Sequence, residues 1–278
     1  MATPEGKVPI VESAGQAVRF LREHWRFGLS VAAIGAAVQT GAFALFGVTA
    51  LWIVVVGIVS AFVHAAFLNV AFNGPVGVGA RLAGDGLRVF ASMSFVGFFI
   101  SIVMFMVLYV AMSILIGPYA EEVRAAGQNN EQLMAIMDRA VTAQPNVMLW
   151  ALGIAGVLVL LLTSRLYLAA PATVEQNRIK VFDSWRWTKG NLLRISATRV
   201  LLLAPALILV GVLQSIAAAI FGAPASDPAA LAANAQTVSV IGFYFLAGLA
   251  QLLIYGMLEA GLSAYLYRGL RPTPPPAA

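Results

Sequence analysis

Long apolar stretches separated by short polar segments dominate the pattern of residues along this chain. Six of them approach the roughly 20 mostly apolar residues that an α-helix needs to cross a bilayer. They occupy residues 28–46, 48–72, 92–116, 148–170, 200–221 and 238–262. None shows the strict apolar–polar alternation, over about 10 residues, of the strands in a membrane barrel. The pattern therefore predicts an all-α fold, a polytopic membrane bundle of six transmembrane helices.

Glycine and proline residues mark several boundaries of the predicted helices. Gly47 separates the first two stretches and predicts a tight turn, because glycine accepts backbone angles that other residues avoid. Pro171 is expected to close the fourth helix, whereas Pro205 lies inside the fifth and predicts a kink. We expect one six-span domain over residues 1–271, followed by a disordered proline-rich tail at 272–278.

A short basic segment precedes each odd-numbered stretch, at residues 14–26, 80–89 and 181–193. The third segment places Trp185 and Trp187 among basic residues, which is typical of amphipathic helices that lie in the headgroup region. We therefore predict three short interfacial helices. The chain is either three repeats of an interfacial helix with a two-span hairpin or a plain series of hairpins.

The composition agrees with a membrane protein. The chain is 60% hydrophobic and only 10% charged, whereas soluble globular domains are about 45–50% apolar and about 25% charged. It has no cysteine, which excludes disulfides, thiolate metal sites and cysteine catalysis.

The basic residues are distributed unevenly between the loops. With the amino terminus placed in the cytoplasm, all but Arg124 and Arg139 of the 17 lysines and arginines fall on the cytoplasmic side. Positively charged loops resist translocation, so both termini are expected in the cytoplasm. We expect a multi-pass protein of a bacterial inner membrane.

The sequence contains few residues that could form an active site. Its two histidines, His24 and His64, have no second ligand at metal-binding spacing, and no phosphate-binding or nucleophile motif is present. We therefore predict no catalytic residues, no metal and no cofactor. Nucleic-acid binding is not expected, because the basic residues are spread along membrane-proximal segments.

The sixth stretch carries polar residues at four-residue spacing, Gln251, Tyr255, Glu259 and Ser263. Since an ionised carboxylate facing lipid is costly, the stripe is expected to face the bundle. Arg165 is the predicted ion-pair partner of Glu259, because both lie at similar depth in helices that run the same way.

These residues define a candidate intramembrane polar cluster. Its predicted members are Arg165, Glu259, Tyr255, Gln251, His64 and Asn69. The cluster is either a structural clamp or a site that coordinates an ion or solute.

The third basic segment is also a candidate lipid site. The predicted contacts to anionic headgroups are Arg178, Lys180, Trp185, Arg186 and Lys189. Each cation near an anionic surface contributes about 1 kcal/mol. The alternative is that these cations only enforce the topology.

The most distinctive sequence segment is SRLYLAAPATVEQNRIKVFDSWRWTKGN at residues 164–191. A second segment, YLYRGLR, lies at residues 265–271. Both segments resemble a bacterial six-span family, the membrane domain attached to some glycerophosphodiester phosphodiesterases and its stand-alone relatives. The resemblance implies the six-span architecture but no catalytic residue here. Phosphodiesterase chemistry would belong to a separate soluble barrel, for which this sequence leaves no stretch.

Two functions are considered on these grounds. The first is a membrane scaffold or accessory protein that interacts with lipid, with the bilayer and its anionic headgroups as partners and any partner protein unknown. The alternative is a permease for a small solute or lipid, which would need a polar path through the bundle. An intramembrane enzyme lacks a nucleophile or metal set.

Overall fold

The structure, a computed structural model, describes residues 7–74, 79, 81–222, 224–225, 230–231 and 234–271. Over these residues the fold is helical, and none of them forms a strand. Six segments are long and apolar enough to cross a membrane, so the predicted fold class is confirmed. The chain is a multi-pass membrane protein. The tail at 272–278, predicted to be disordered, lies outside the described residues.

The first two helices form the predicted hairpin. Helix α1 covers Ile10–Phe46 and α2 covers Ala50–Asn73. Gly47 ends α1 with a positive φ of 61°, which glycine adopts without steric penalty. The predicted interfacial segment at 14–26 is helical but is the first part of α1. Non-helical angles at His24, φ −115° and ψ 16°, mark a kink between the two parts.

Helix α3 covers Leu82–Ile116, so the second interfacial segment is likewise continuous with its span. Ala80, where that segment was predicted to begin, lies outside the described residues. A 3₁₀ turn at Gly117–Tyr119 then leads into two short helices, α4 at Ala120–Ala126 and α5 at Asn130–Ala143.

The fourth helix is shorter than predicted. Helix α6 covers Pro145–Arg165, and a break at 166–168 separates it from α7 at Ala169–Gln176. Pro171 therefore lies in the first turn of α7, where its missing N–H is no cost, and does not close a span. The predicted helix boundary at residue 170 is wrong for this reason.

Three further helices have their full range among the described residues. Helix α8 covers Val181–Trp187 and α9 covers Leu192–Phe221, which is not broken at Pro205. Helix α10 covers Val238–Leu270 and contains a π-helical turn at Gln251–Gly256.

The chain divides into two compact units, one formed by residues 1–94 with 164–278 and the other by 95–163. The single-domain organisation stays a prediction. In the second unit, Arg139 of α5 forms an ion pair with Glu122 of α4 at 2.6 Å. Ile136 of α5 is buried.

Small residues let the helices of the first unit approach closely. Ala32 and Ala36 of α1 and Ala61 of α2 are fully buried, which is typical of helix packing in lipid. Gly28 of α1 shows how close the approach to α10 is. A Cβ placed on Gly28 would lie 1.9 Å from the sulfur of Met257.

Candidate functional site

Glu259 lies in the part of α10 that packs against other helices, and it is half-buried. Its side chain lies near His64 of α2, Tyr255 and Tyr167. The hydroxyl of Tyr167 also donates a hydrogen bond to the Glu259 backbone carbonyl at 3.2 Å. The polar stripe therefore faces the bundle at this level.

The cation of this site is Arg199 of α9. Its guanidinium carbon lies 4.6 Å from the ring centroid of Tyr167, within the range of a cation–π contact. Arg199 lies near Tyr167 and Tyr255, the same two phenols that Glu259 lies near. One Arg199 nitrogen donates to the hydroxyl of Ser164 at 2.9 Å.

We call this group the Glu259 cluster. It consists of His64, Tyr167, Arg199, Tyr255 and Glu259. Three of its members were predicted from the sequence, whereas Tyr167 and Arg199 were not. Arg199 was counted only among the basic residues of the loops.

Arg165, the predicted partner of Glu259, lies elsewhere. Its guanidinium carbon is 5.5 Å from the ring centroid of Trp185, and no ion pair joins it to Glu259 in the described chain. Helix α6 ends at Arg165, and the backbone carbonyl of that residue accepts hydrogen bonds from Ser184 at 2.9 Å and Thr188 at 3.2 Å. The end of the helix thus directs Arg165 toward α8, and the predicted ion pair is wrong.

Asn69 belongs to a second polar cluster. Its side-chain amide donates to the carboxylate of Asp85 at 3.0 Å, and Asp85 is only 1% exposed. Arg88 pairs with the other Asp85 oxygen at 2.9 Å and also donates to Asn177 at 3.3 Å. Sequence reasoning missed Asp85, although its three-residue spacing from Arg88 is a signal for a helical ion pair.

Gln251 is the remaining predicted member, and it too lies apart from Glu259. It begins the π-helical turn of α10 and lines a cavity between α1, α2, α9 and α10. The six predicted residues therefore divide among four places, and only His64, Tyr255 and Glu259 come together.

The predicted headgroup contacts form a surface over residues 178–193. Three of its apolar side chains are exposed, Ile179 at 54%, Phe182 at 64% and Trp185 at 48%, whereas Trp187 packs against Tyr267 of the core. Arg178, Arg186 and Lys189 are exposed beside them.

Two of the cations on this surface are partly neutralised. Lys180 pairs with Asp183 at 2.6 Å, and Arg186 approaches the same carboxylate at 3.7 Å. Arg178 and Lys189 make no ion pair with any residue that the structure describes. These two cations are the ones most available to an anionic ligand.

Hydrogen bonds tie the chain ends to this side of the first unit. The backbone N–H of Val8 donates to the side chain of Asn191 at 3.0 Å. Near the other end, Arg271 pairs with Glu175, and this carboxylate raises the pKa of the Arg271 guanidinium above its ordinary value. The 178–193 surface thus lies on a braced part of the fold.

Comparison with known proteins adds no family to this picture. No protein-family model matches the chain, and no curated protein or solved structure matches it significantly.

The described residues contain no group of three or more histidines and carboxylates able to hold a metal ion. The Glu259 cluster offers one carboxylate, one imidazole, one guanidinium and two phenols inside the bundle. Such a set can brace helices electrostatically or pass a proton between neighbours. The 178–193 surface offers cations and aromatic rings, which suit a lipid interface.

Proposed function

We propose that this chain is a bacterial inner-membrane protein that binds anionic lipid at its cytoplasmic face and acts there as a scaffold or accessory protein. In this proposal both termini lie in the cytoplasm, as the uneven distribution of lysine and arginine favours. The resemblance to membrane domains of glycerophosphodiester phosphodiesterases agrees with a bacterial membrane and is itself part of the proposal.

The main support for lipid binding is the composition of the 178–193 surface. The 178–193 surface exposes aromatic and aliphatic side chains next to cations, outside the long apolar helices. In water this arrangement would expose apolar area at a cost of roughly 25 cal/mol per Å². At a membrane surface the same rings enter the headgroup region while the cations meet phosphates.

The contacts of α8 support this interpretation because they fix which side is exposed. Ser184 and Thr188 are fully buried and donate to the carbonyl that ends α6. With that face attached, Phe182 and Trp185 are directed away from the bundle. The exposure of the rings is therefore a property of the fold.

Lipid retention by the purified full chain tests the proposal. Native mass spectrometry from a mixture of anionic and zwitterionic lipids should show preferential retention of phosphatidylglycerol. The variant that combines Arg178→Gln with Lys189→Gln should lower that preference about tenfold, since each cation contributes about 1 kcal/mol before screening.

The matched control combines Arg124→Gln with Arg139→Gln. It removes the same charge from the second unit and should leave the preference unchanged. Equal retention of both lipids by the natural chain, or an equal loss in both variants, would contradict the proposal.

Transport of a small solute or lipid is the second candidate function, and the Glu259 cluster is the observation that favours it. Ionisable groups facing the interior of a bundle mark substrate and proton pathways in many transporters. Purification from the native membrane separates the two functions. Stoichiometric partner proteins favour scaffolding, whereas a retained small solute lost on Glu259→Gln favours transport.

A further inference from the structure

A cavity of about 390 Å³ lies within the first unit, toward the Gly47 end of the α1–α2 hairpin and away from the 178–193 surface. Four helices contribute polar or aromatic side chains to its wall. Those that matter here are Gln39 and Thr40 of α1, Trp52 of α2, Gln214 of α9, and Tyr244 and Gln251 of α10. We call it the glutamine cavity. Its volume falls in the usual range for small-molecule sites, about 300–1,000 Å³.

Two polar atoms in the wall are buried without a partner. Thr40 is 5% exposed, and its hydroxyl makes no hydrogen bond within the part of the chain that the structure describes. The indole N–H of Trp52 is likewise buried without a hydrogen-bond partner among the described residues. A buried polar group without a hydrogen bond is destabilising. Neither atom is open to a water-sized probe, so a bound molecule would reach them only after a small rotation of the Thr40 or Trp52 side chain.

The glutamines add further hydrogen-bonding capacity. The amides of Gln214 and Gln251 bond to no residue among those described, so their donors and acceptors are available to the cavity. Gln39 is held in place, because its amide nitrogen donates to the hydroxyl of Ser60 at 3.0 Å and to the Val56 carbonyl at 3.5 Å. The wall is thus partly pre-organised.

Backbone features also adapt α10 to the cavity. Gln251 is the first residue of the π-helical turn, a rare geometry that occurs frequently at functional sites. One turn earlier, a Cβ on Gly248 would lie 3.5 Å from the Gln39 side-chain oxygen and 3.6 Å from Ala36. These are ordinary van der Waals distances, so α10 packs against α1 at the level of the cavity and an alanine would also fit at this position.

We propose that the glutamine cavity binds an uncharged small molecule rich in hydroxyl groups, of about monosaccharide size. Its polar lining is neutral, with carboxamides, a hydroxyl and an indole N–H that offer both donors and acceptors. A charged ligand would lose its hydration without a counter-charge. Trp52 and Tyr244 pack edge to face against each other, and the apolar side chains of Val56, Phe243 and Ala247 in the same wall suit the C–H side of a sugar-like ring.

The inference is independent of lipid binding, because none of the wall residues belongs to the 178–193 surface. It is tested with the full chain in nanodiscs of fixed lipid composition, by following thermal unfolding through tryptophan fluorescence. The probes are D-glucose and myo-inositol, compared with the charged sugars glucosamine and glucuronate, each at about 1–10 mM. At least one neutral probe should raise the unfolding temperature with a saturable dependence on its concentration, and the charged sugars should not.

Two variants assign the effect to this cavity. Gln251→Leu should weaken the response to the neutral probe at least tenfold, whereas Gln128→Leu, in the second unit, should not change it. Thr40→Val removes the unpartnered hydroxyl at nearly constant volume. It should raise the unfolding temperature of the ligand-free chain and reduce the response to the probe, two opposite effects that misfolding cannot produce.

The proposal is overturned if neither neutral probe shifts unfolding, which would make the cavity a site for water only. It is also overturned if charged and neutral sugars act equally, or if Gln251→Leu and Thr40→Val respond to the probes as the natural chain does.

Discussion

The hydroxyl of Tyr167 donates to the backbone carbonyl of Glu259 at 3.2 Å, across 92 positions of the chain. Tyr167 lies in the break between α6 and α7, and Glu259 lies in α10, so this bond joins the fourth predicted span to the sixth. Arg199 covers the ring of Tyr167 from α9. One tyrosine therefore connects three of the long segments.

Removing the Tyr167 hydroxyl should loosen this connection. We expect Tyr167→Phe to lower the free energy of unfolding in mixed micelles by about 1 kcal/mol, the net value of one hydrogen bond. Tyr109→Phe is the matched control, since Tyr109 is 65% exposed. A loss no larger in Tyr167→Phe than in the control would show that the bond does not stabilise the fold.

A double-mutant cycle can measure whether Glu259 is energetically coupled to Arg199 or to Arg165. Arg199→Gln should cost about 2 kcal/mol and show a coupling of about 1 kcal/mol with Glu259→Gln, because both charges act on the same tyrosines. Arg165→Gln should cost less than about 1 kcal/mol, the value of a partly exposed cation–π contact, and show no coupling. Coupling of Glu259 to Arg165 instead would restore the ion pair that the sequence suggested.

The second polar cluster, in which Asp85 contacts Asn69 and Arg88, gives a further stability prediction. Asp85→Asn should cost about 1–3 kcal/mol, since it removes a charge-assisted hydrogen bond at a nearly inaccessible position. Arg88→Gln should cost more, because it leaves a buried carboxylate without its cation. Asp138→Asn, at an exposed position of α5, is the control and should stay within about 0.5 kcal/mol. Equal effects at the two aspartates would contradict the role given to Asp85.

The six spans could be predicted because hydropathy averaged over about 19 residues is a strong signal. The same averaging locates an apolar stretch and does not locate the ends of the helix that contains it. It placed the start of the fifth span at residue 200, whereas α9 begins at Leu192, so Arg199 lies two turns inside a helix. Likewise α3 runs without a break from Leu82 to Ile116, so Asp85, which was expected in a separate interfacial helix, belongs to the same helix as the third span and lies beside Asn69.

The partners of polar residues were harder to predict than the spans. Counting residues from each helix end matched the depths of Arg165 and Glu259, but depth does not fix the direction in which a side chain leaves its helix. The glutamine cavity needed three-dimensional information as well. Gln39 lies 175 positions before Gln214, and Gln214 lies 37 positions before Gln251, and each is isolated within an apolar stretch.

The absence of cysteine makes the orientation directly measurable. Single cysteines at Gln128 and Lys189, both exposed, can be labelled in intact cells with a membrane-impermeant maleimide. We expect labelling at position 128 in intact cells and at position 189 only after the membrane is permeabilised. The reverse result would place the 178–193 surface outside the cell and contradict the proposed location.

The most direct measurement of the central claim is the environment of the 178–193 surface in a bilayer. A bimane fluorophore attached to a cysteine at Phe182 reports how closely this surface meets the headgroups. In vesicles with phosphatidylglycerol its emission should shift to shorter wavelength than in phosphatidylcholine alone. The shift should shrink as salt rises from about 0.1 to 1 M and the Debye length falls from about 10 to 3 Å. Emission that is the same in both lipids, or insensitive to salt, would contradict anionic lipid binding at this surface.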